Sequence, residues 1–202
     1  MMTHNYSTDS SERRYIPFFI AAVAIIIEIF VLHLLEAYQI RLRWWASPPI
    51  DTMAFYGSLY WVFDQYIWKW KLIRWLRISR IPDLSGTWHG HAQPTVTKGV
   101  SEGLGSKADI TVRIKQTWTN MLIVAQTSLS KSHSVSGNLI TADEPSISYE
   151  YTNEPSAEAP RTMHTHRGVA RLTINDTGTV LEGEYYSGRD RQNIGTIRLT
   201  RT

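Results

Sequence analysis

The sequence holds 202 residues, enough for one ordinary domain and a smaller part, with a net charge of +3 and no cysteine. The missing cysteine excludes disulfide scaffolds, thiolate zinc sites and thiol catalysis. Residues 1–80 carry nine Lys/Arg against six Asp/Glu and residues 81–202 twelve against twelve, so the basic balance is N-terminal and argues against a binder of duplex nucleic acid.

After a polar tail over residues 1–15, Ile16–Leu35 forms an apolar run of twenty residues. As a helix it reaches about 30 Å, the thickness of a hydrocarbon core. Pro17 falls in the first turn, where its missing N–H costs little. No small-x-small cleavage site follows, so a cleaved signal peptide is the weaker reading. Met53–Trp70 is a second candidate span, with eight aromatic residues in eighteen. Aromatic rings favour membrane interfaces, so a surface-lying amphipathic helix is its rival. Together the two runs read as a transmembrane helical hairpin over residues 16–80. Seven cations flank its two ends, counting Arg13, Arg14 and the Lys69–Arg80 run, against Arg41 and Arg43 in the connection. That bias places both termini in the cytoplasm. Glu28 and Asp64 lie inside the spans, where ionisable groups are costly and face a partner or water. They are candidates for a polar seam in helix or subunit assembly.

From residue 81 the helical spacing gives way to short alternating runs separated by Gly, Pro, Asn and Asp. Eight strands are expected, near 85–93, 108–117, 120–129, 133–141, 146–152, 164–175, 179–187 and 191–200. Pro94–Lys107 and Asn153–Met163 read as the longer loops. Joined in sequence, the strands predict an eight-stranded antiparallel up-and-down barrel over residues 81–202, which leaves no free edge. The fold class is thus membrane α plus all-β.

Alternation chooses the inward faces. Antiparallel topology then gathers Trp88, Trp118, Met121, Leu139, Ile147, Ile174, Leu181 and Leu199 at one end as an apolar plug. The other end gathers Thr127, Tyr149, Tyr151, His164, His166, Tyr185, Arg191 and Asn193 as a polar, aromatic mouth. Tyrosine faces with Arg and Asn suit a ligand with planar rings and negative charge. The ligand-binding candidates are Tyr149, Tyr151, Tyr185, Arg191, Asn193, His166 and Thr127. His89, His91, His164 and His166 raise a metal reading, but His89 and His91 are expected to face outward, and no metal site is assigned. No nucleophile elbow, phosphate loop or zinc-protease pattern occurs, so no catalytic residue is assigned and no enzyme is expected. A lipocalin-like, membrane-anchored binder of another small molecule is the alternative.

The order of tail, two spans, basic linker and a barrel opening Asp83-Leu84-Ser85-Gly86-Thr87-Trp88-His89-Gly90 carries a resemblance. With the closing run Leu181–Thr200, L-E-G-E-Y-Y-S-G-R-D-R-Q-N-I-G-T-I-R-L-T, it resembles the bacterial two-transmembrane, β-strand-rich effectors of cyclic-oligonucleotide anti-phage signalling (CBASS), along nearly the full chain. The resemblance implies a cyclic dinucleotide as activating ligand, made by a partner nucleotidyltransferase, with no other cofactor. It also implies a homo-oligomer that acts on the lipid bilayer of the bacterial inner membrane and disrupts it.

Overall fold

A computed structural model describes residues 3–39, 48–97, 107–159, 164–188 and 193–202. The chain divides into two units, Ser11–Arg80 and a second made of Ile81–Thr202 together with the residues up to Ser10.

The first unit is helical. α1 spans Glu12–Ala37, and its 26 residues give a length of about 39 Å at the α-helical rise. Its buried residues are Glu12, Ile16, Ile20, Ala24 and Glu28, a single ridge at spacing four. The remaining faces leave Phe18, Phe19, Ile26, Ile29 and Phe30 more than 60% exposed. Water does not tolerate so many bare apolar side chains on one helix, whereas hydrocarbon does. The Glu12 carboxylate, in the first turn, accepts from the Ser79 hydroxyl at 2.6 Å and the Arg80 N–H at 2.7 Å. It therefore ties the start of the unit to its end.

α2 spans Pro48–Gln65 and packs against α1, and the Thr52 hydroxyl donates to the Glu28 carboxylate. A 3-10 turn, Ile67–Lys69, and the short α3, Lys71–Trp75, follow. The second expected span is thereby corrected. The helix starts before Met53 and breaks at Tyr66, whose backbone leaves the helical region at φ −131° and ψ −51°. Among the described residues, α1 alone has both the length and the apolarity to cross a membrane by itself.

The second unit is the barrel. Its strands are β3 Gly86–Thr97, β4 Ala108–Gln116, β5 Asn120–Gln126, β6 Ser130–Ile140, β7 Ser146–Pro155, β8 His166–Ile174, β9 Val180–Ser187 and β10 Asn193–Arg201. All eight pair antiparallel with their neighbours in chain order, and β10 pairs with β3 to bring the ends together. Alternation of buried inward and exposed outward residues is strict along β8 and along β10 up to Thr200, and in β4 Ile110, Val112, Ile114 and Gln116 are the buried inward set. All eight plug residues are buried, and Trp88 donates its indole N–H to the Leu84 carbonyl at 3.0 Å.

Two expected loops are shorter than read from the sequence. β3 runs on through Pro94 because the ladder to β10 shifts there: Ile194 faces Val96 while Gly195 faces Pro94, leaving Thr95 as the extra residue. Such a bulge seats a proline, which has no N–H to give the ladder. β7 likewise continues to Pro155. A second bulge lies in β6, where Ser134 faces Tyr151 and Ser136 faces Glu150. Val135 is the extra residue there, 43% exposed, and the alternation of β6 reverses across it.

The barrel closes between β5 and β6, which pair directly only at Val124–His133, Ala125–Ser132 and Gln126–Lys131. Beyond these the strands part, and the N-terminal segment fills the gap. β1, His4–Asn5, pairs antiparallel with β5, and β2, Ser7–Thr8, pairs parallel with β6. Between them Tyr6 is 3% exposed and donates its hydroxyl to the Trp118 carbonyl at 2.8 Å. Gln116, also buried, accepts from the Leu84 N–H at 2.8 Å and donates to the Pro82 carbonyl at 3.1 Å. The segment read from the sequence as part of a polar tail is therefore a strap in the barrel sheet.

The strap ends at Asp9, whose carboxylate accepts from the Thr141 N–H at 2.8 Å, the Thr141 hydroxyl at 2.9 Å and the Ala142 N–H at 3.1 Å. Desolvation pushes its pKa up, but these bonds outweigh it and hold the group below its ordinary value of 3.8. A lowered carboxyl pKa gives stability that is full above the unfolded value and is lost as pH falls through the folded one. Asp9→Asn should therefore melt below the unaltered protein at pH 7, and the gap should narrow as pH drops below 3.8. Thermal melts at both pH values check this.

Candidate ligand-binding site

Parity sends Tyr149, Tyr151 and Asn153 inward from β7, His166 from β8, Tyr185 and Ser187 from β9 and Asn193 from β10. They meet Thr127 and the start of β6 around one cavity of about 280 Å³. Six of the seven sequence candidates line it: Tyr149, Tyr151, Tyr185, His166, Asn193 and Thr127. Arg191, the seventh, lies outside the described residues, as does Arg189. Ser187 and Asn193, which bracket that segment, both line the cavity. The Ser187 hydroxyl accepts the Asn193 N–H at 3.0 Å and donates to its carbonyl at 3.1 Å. His164 is exposed, and its carbonyl lies 3.0 Å from His166 Nδ1. That bond places the proton on Nδ1 and leaves Nε2 as the acceptor of the neutral ring. His89 and His91 are exposed on the outer wall, where His91 Nδ1 lies 2.8 Å from the Asp109 carboxylate.

The tyrosines form one wall of the cavity. Tyr149 and Tyr151 stand with ring centroids 6.2 Å apart at 54°. Burial, with Tyr151 alongside, raises the Tyr149 phenol well above its ordinary value of 10, so it stays a neutral hydroxyl throughout the physiological range. Glycines place the other two rings. Gly168 faces Tyr151 across the β7–β8 ladder, and a Cβ there would lie 2.4 Å from the ring. Gly195 faces Tyr185 across β9–β10, and its Cβ would lie 2.5 Å from that ring. Each tyrosine thus lies over a glycine of the neighbouring strand. Any side chain at that glycine would stand where the ring is.

Hydroxyls follow on the neighbouring strand, where Ser130 and Ser132 of β6 line the cavity with Thr127 and Ser128 of the β5–β6 turn, and Ala92, Ala108, Ile110 and Ile197 add apolar surface to the lining. No Lys or Arg lines it among the described residues. The arrangement offers aromatic rings and neutral hydroxyl donors, with the His166 ring and two amide side chains beside them. It suits a ligand with planar groups linked by hydrogen-bond acceptors.

Sequence reasoning missed Asn153, Ser187, Ser130 and Ser132. Asn153 stands at the same parity as Tyr149 and Tyr151, in the part of β7 that the sequence reads as a loop. Ser187 is two residues past Tyr185 and carries the same signal. Ser130 and Ser132 fall in the turn expected between the strands near 120–129 and 133–141, and the bulge at Val135, which reverses the alternation of β6, leaves no parity signal to recover them.

Two family matches cover the chain. Residues 79–201 match the family described as Cap15, cyclic dinucleotide receptor domain, and residues 14–69 match Cap15, TM helices. The chain belongs to the Cap15 family. It is similar to the CD-NTase-associated protein 15 of Yersinia aleksiciae, at 28% identity across 91% of this chain and 86% of the relative. That of Escherichia albertii is 23% identical across 89% and 90%, and that of Staphylococcus schleiferi 27% across 68% and 69%. In this Cap15 chain the receptor-domain match covers the whole barrel from β3 to β10 and so contains the cavity. The helix match contains α1 and α2.

A side chain at Gly195 also meets the Gln93 carbonyl, at 2.4 Å, so Gly195→Ala must displace both ring and backbone. It should destabilise the barrel by about 1–3 kcal/mol, the usual range for overpacking. Thermal unfolding in detergent measures this. A melting point unchanged from the unaltered protein would mean that Tyr185 does not need the glycine beneath it.

Proposed function

We propose that this Cap15 protein is a membrane-anchored receptor and effector in anti-phage cyclic-oligonucleotide signalling. The barrel binds a cyclic dinucleotide made by a partner nucleotidyltransferase, copies of the chain assemble, and the helices disrupt the inner membrane. The observation that carries the reading is the cavity itself, lined by three tyrosine rings and a row of hydroxyls inside the region matched to the receptor domain. The rings supply stacking surfaces for bases. The hydroxyl and amide groups supply the hydrogen bonds that buried phosphates need, since unpaired buried charge is expensive.

Connectivity supports a two-crossing anchor. The strap and the barrel belong to one unit, so the helical segment between Ser10 and Ile81 starts and ends on the same side of a bilayer. With α1 as one crossing, α2 is the remaining helix for the return, and its eighteen residues give about 27 Å. The excess of Lys and Arg at the two ends puts that side in the cytoplasm, where a diffusing nucleotide is available.

Assembly is assigned to the two carboxylates of the helical unit. Glu28 is 7% exposed, and its Oε1 has no hydrogen-bond partner among the described residues. Asp64 is equally buried and accepts from the Gln65 side-chain amide at 3.0 Å. Such groups in an apolar setting are satisfied by a partner helix or by water.

Calorimetry of the detergent-solubilised full chain against a panel of cyclic dinucleotides tests the receptor reading, with saturable binding of at least one expected. Tyr151→Ala and Tyr185→Ala should each weaken it by roughly 1–3 kcal/mol, the value of a base stack. Arg191→Ala should lose at least about tenfold, or about 1.4 kcal/mol. Binding that none of the three variants alters would place the ligand elsewhere. Glu28→Ala and Asp64→Ala should leave affinity unchanged and reduce toxicity on expression with the partner enzyme. Full toxicity of either variant removes that residue from the assembly seam.

A further inference from the structure

The β5–β6 seam is the weakest join in the barrel wall. Every other neighbouring pair is held over a ladder of six or more residue pairs, while β5 and β6 share three. The middle pair, Ala125–Ser132, lines the cavity, and Thr127, Ser128 and Ser130 line it just beyond, where the two strands turn. Where they stop, the strap begins. Ser134 stands at the junction. Its hydroxyl accepts the Ile123 N–H of β5 at 2.9 Å and meets His4 Nε2 of the strap at 2.7 Å. It also faces Tyr151, a cavity residue, across the β6–β7 ladder. One residue therefore bonds to the seam and to the strap and is the ladder partner of a cavity residue.

The cavity is small for its proposed occupant. Its volume of about 280 Å³ falls just short of the ~300–1,000 Å³ usual for pockets that enclose drug-sized ligands, and a cyclic dinucleotide is larger than most of these. A closed barrel that must widen does so where the fewest backbone hydrogen bonds break. That is the β5–β6 seam, and widening it draws apart the two strands between which residues 4–8 are held. The strap is three residues from α1: Thr8 ends β2 and Glu12 begins the helix.

We propose that the N-terminal strap reports occupancy of the barrel to the helical unit. A ligand seated in the cavity against the tyrosines and Ala125, Ser130 and Ser132 spreads the β5–β6 seam, loosens His4–Thr8 from β5 and β6, and releases the chain that leads into α1. This rests on the cyclic dinucleotide reading of the cavity. Linkage makes the coupling reciprocal, so a strap that cannot leave must weaken ligand binding.

The absence of native cysteine allows a clean test in the full chain. Asn5 and Asn120 are directly opposed in the antiparallel β1–β5 pair. Opposed residues in such pairs lie about 4.5–5.5 Å apart at Cα, within disulfide reach. In Asn5→Cys/Asn120→Cys, oxidation should lower affinity for a cyclic dinucleotide that binds the unaltered protein by at least tenfold. Reduction should restore it. In the unaltered protein, hydrogen exchange over residues 4–10 should quicken when that nucleotide is added. The exchange measurement needs no variant and stands if the cysteine pair fails to fold or to close. Equal affinity in oxidised and reduced forms, or exchange that nucleotide leaves unchanged, overturns the strap as reporter while the receptor reading survives. Failure of the unaltered protein to bind any cyclic dinucleotide overturns the receptor reading, and the reporter with it.

Discussion

A sheet of eight strands has two edges, and in this protein they do not reach each other along their whole length. β5 and β6 meet near their shared turn and then part, so the wall has a gap that would expose backbone N–H and C=O groups of both strands. The N-terminal strap removes that liability by pairing one way with β5 and the other with β6. Tyr6 and Gln116 tie the plugged end together, Tyr6 at the Trp118 carbonyl of the β4–β5 turn and Gln116 at the main chain of Pro82 and Leu84 before β3. A stretch that the charge pattern marks as a tail is thus part of what makes the barrel a closed object.

Closure divides the interior. The plugged half is filled by Trp88, Trp118 and large aliphatic side chains, all nearly free of solvent contact. The open half is lined by tyrosines, hydroxyls and amides and keeps room for a ligand. The same sheet supports both, because small residues face large ones across the ladders. Gly168 and Gly195 hold Tyr151 and Tyr185 in place, and Gly183, opposite both Leu172 and Ile197, leaves no space for any side chain of its own. The rings are therefore positioned by the backbone of the neighbouring strand, which is stiffer than any side chain could be.

The helical unit obeys a different solvent. α1 buries one ridge at spacing four and exposes the rest of its apolar surface, an arrangement suited to lipid. Glu12 and Glu28 are the polar members of that ridge. The first is fully matched by Ser79 and Arg80, whereas the second is matched at one oxygen by Thr52. A matched carboxylate fixes local structure, and a half-matched one leaves an acceptor for another group. Membership of the Cap15 family joins this unit to the barrel's cavity in one chain.

The sequence by itself determined the division into an apolar helical part and a barrel, the inward faces of β4, β7, β8, β9 and β10, and six of the residues around the cavity. These are local signals: period two in a strand and length and apolarity in a span are written in consecutive residues. The tertiary structure alone decided the strap, the two bulges and the break in the second helical run. Tyr6 meets Trp118 across 112 positions of sequence, and two-residue strands have no alternation to read. Ser130 and Ser132 precede the strand expected from residue 133, and the bulge at Val135 sets them out of parity with Leu139, an extra residue that only the partner strand locates. The seam between β5 and β6 belongs to the same class. How far two strands pair is set by the curvature of the closed barrel, a property of all eight strands together and of no single one.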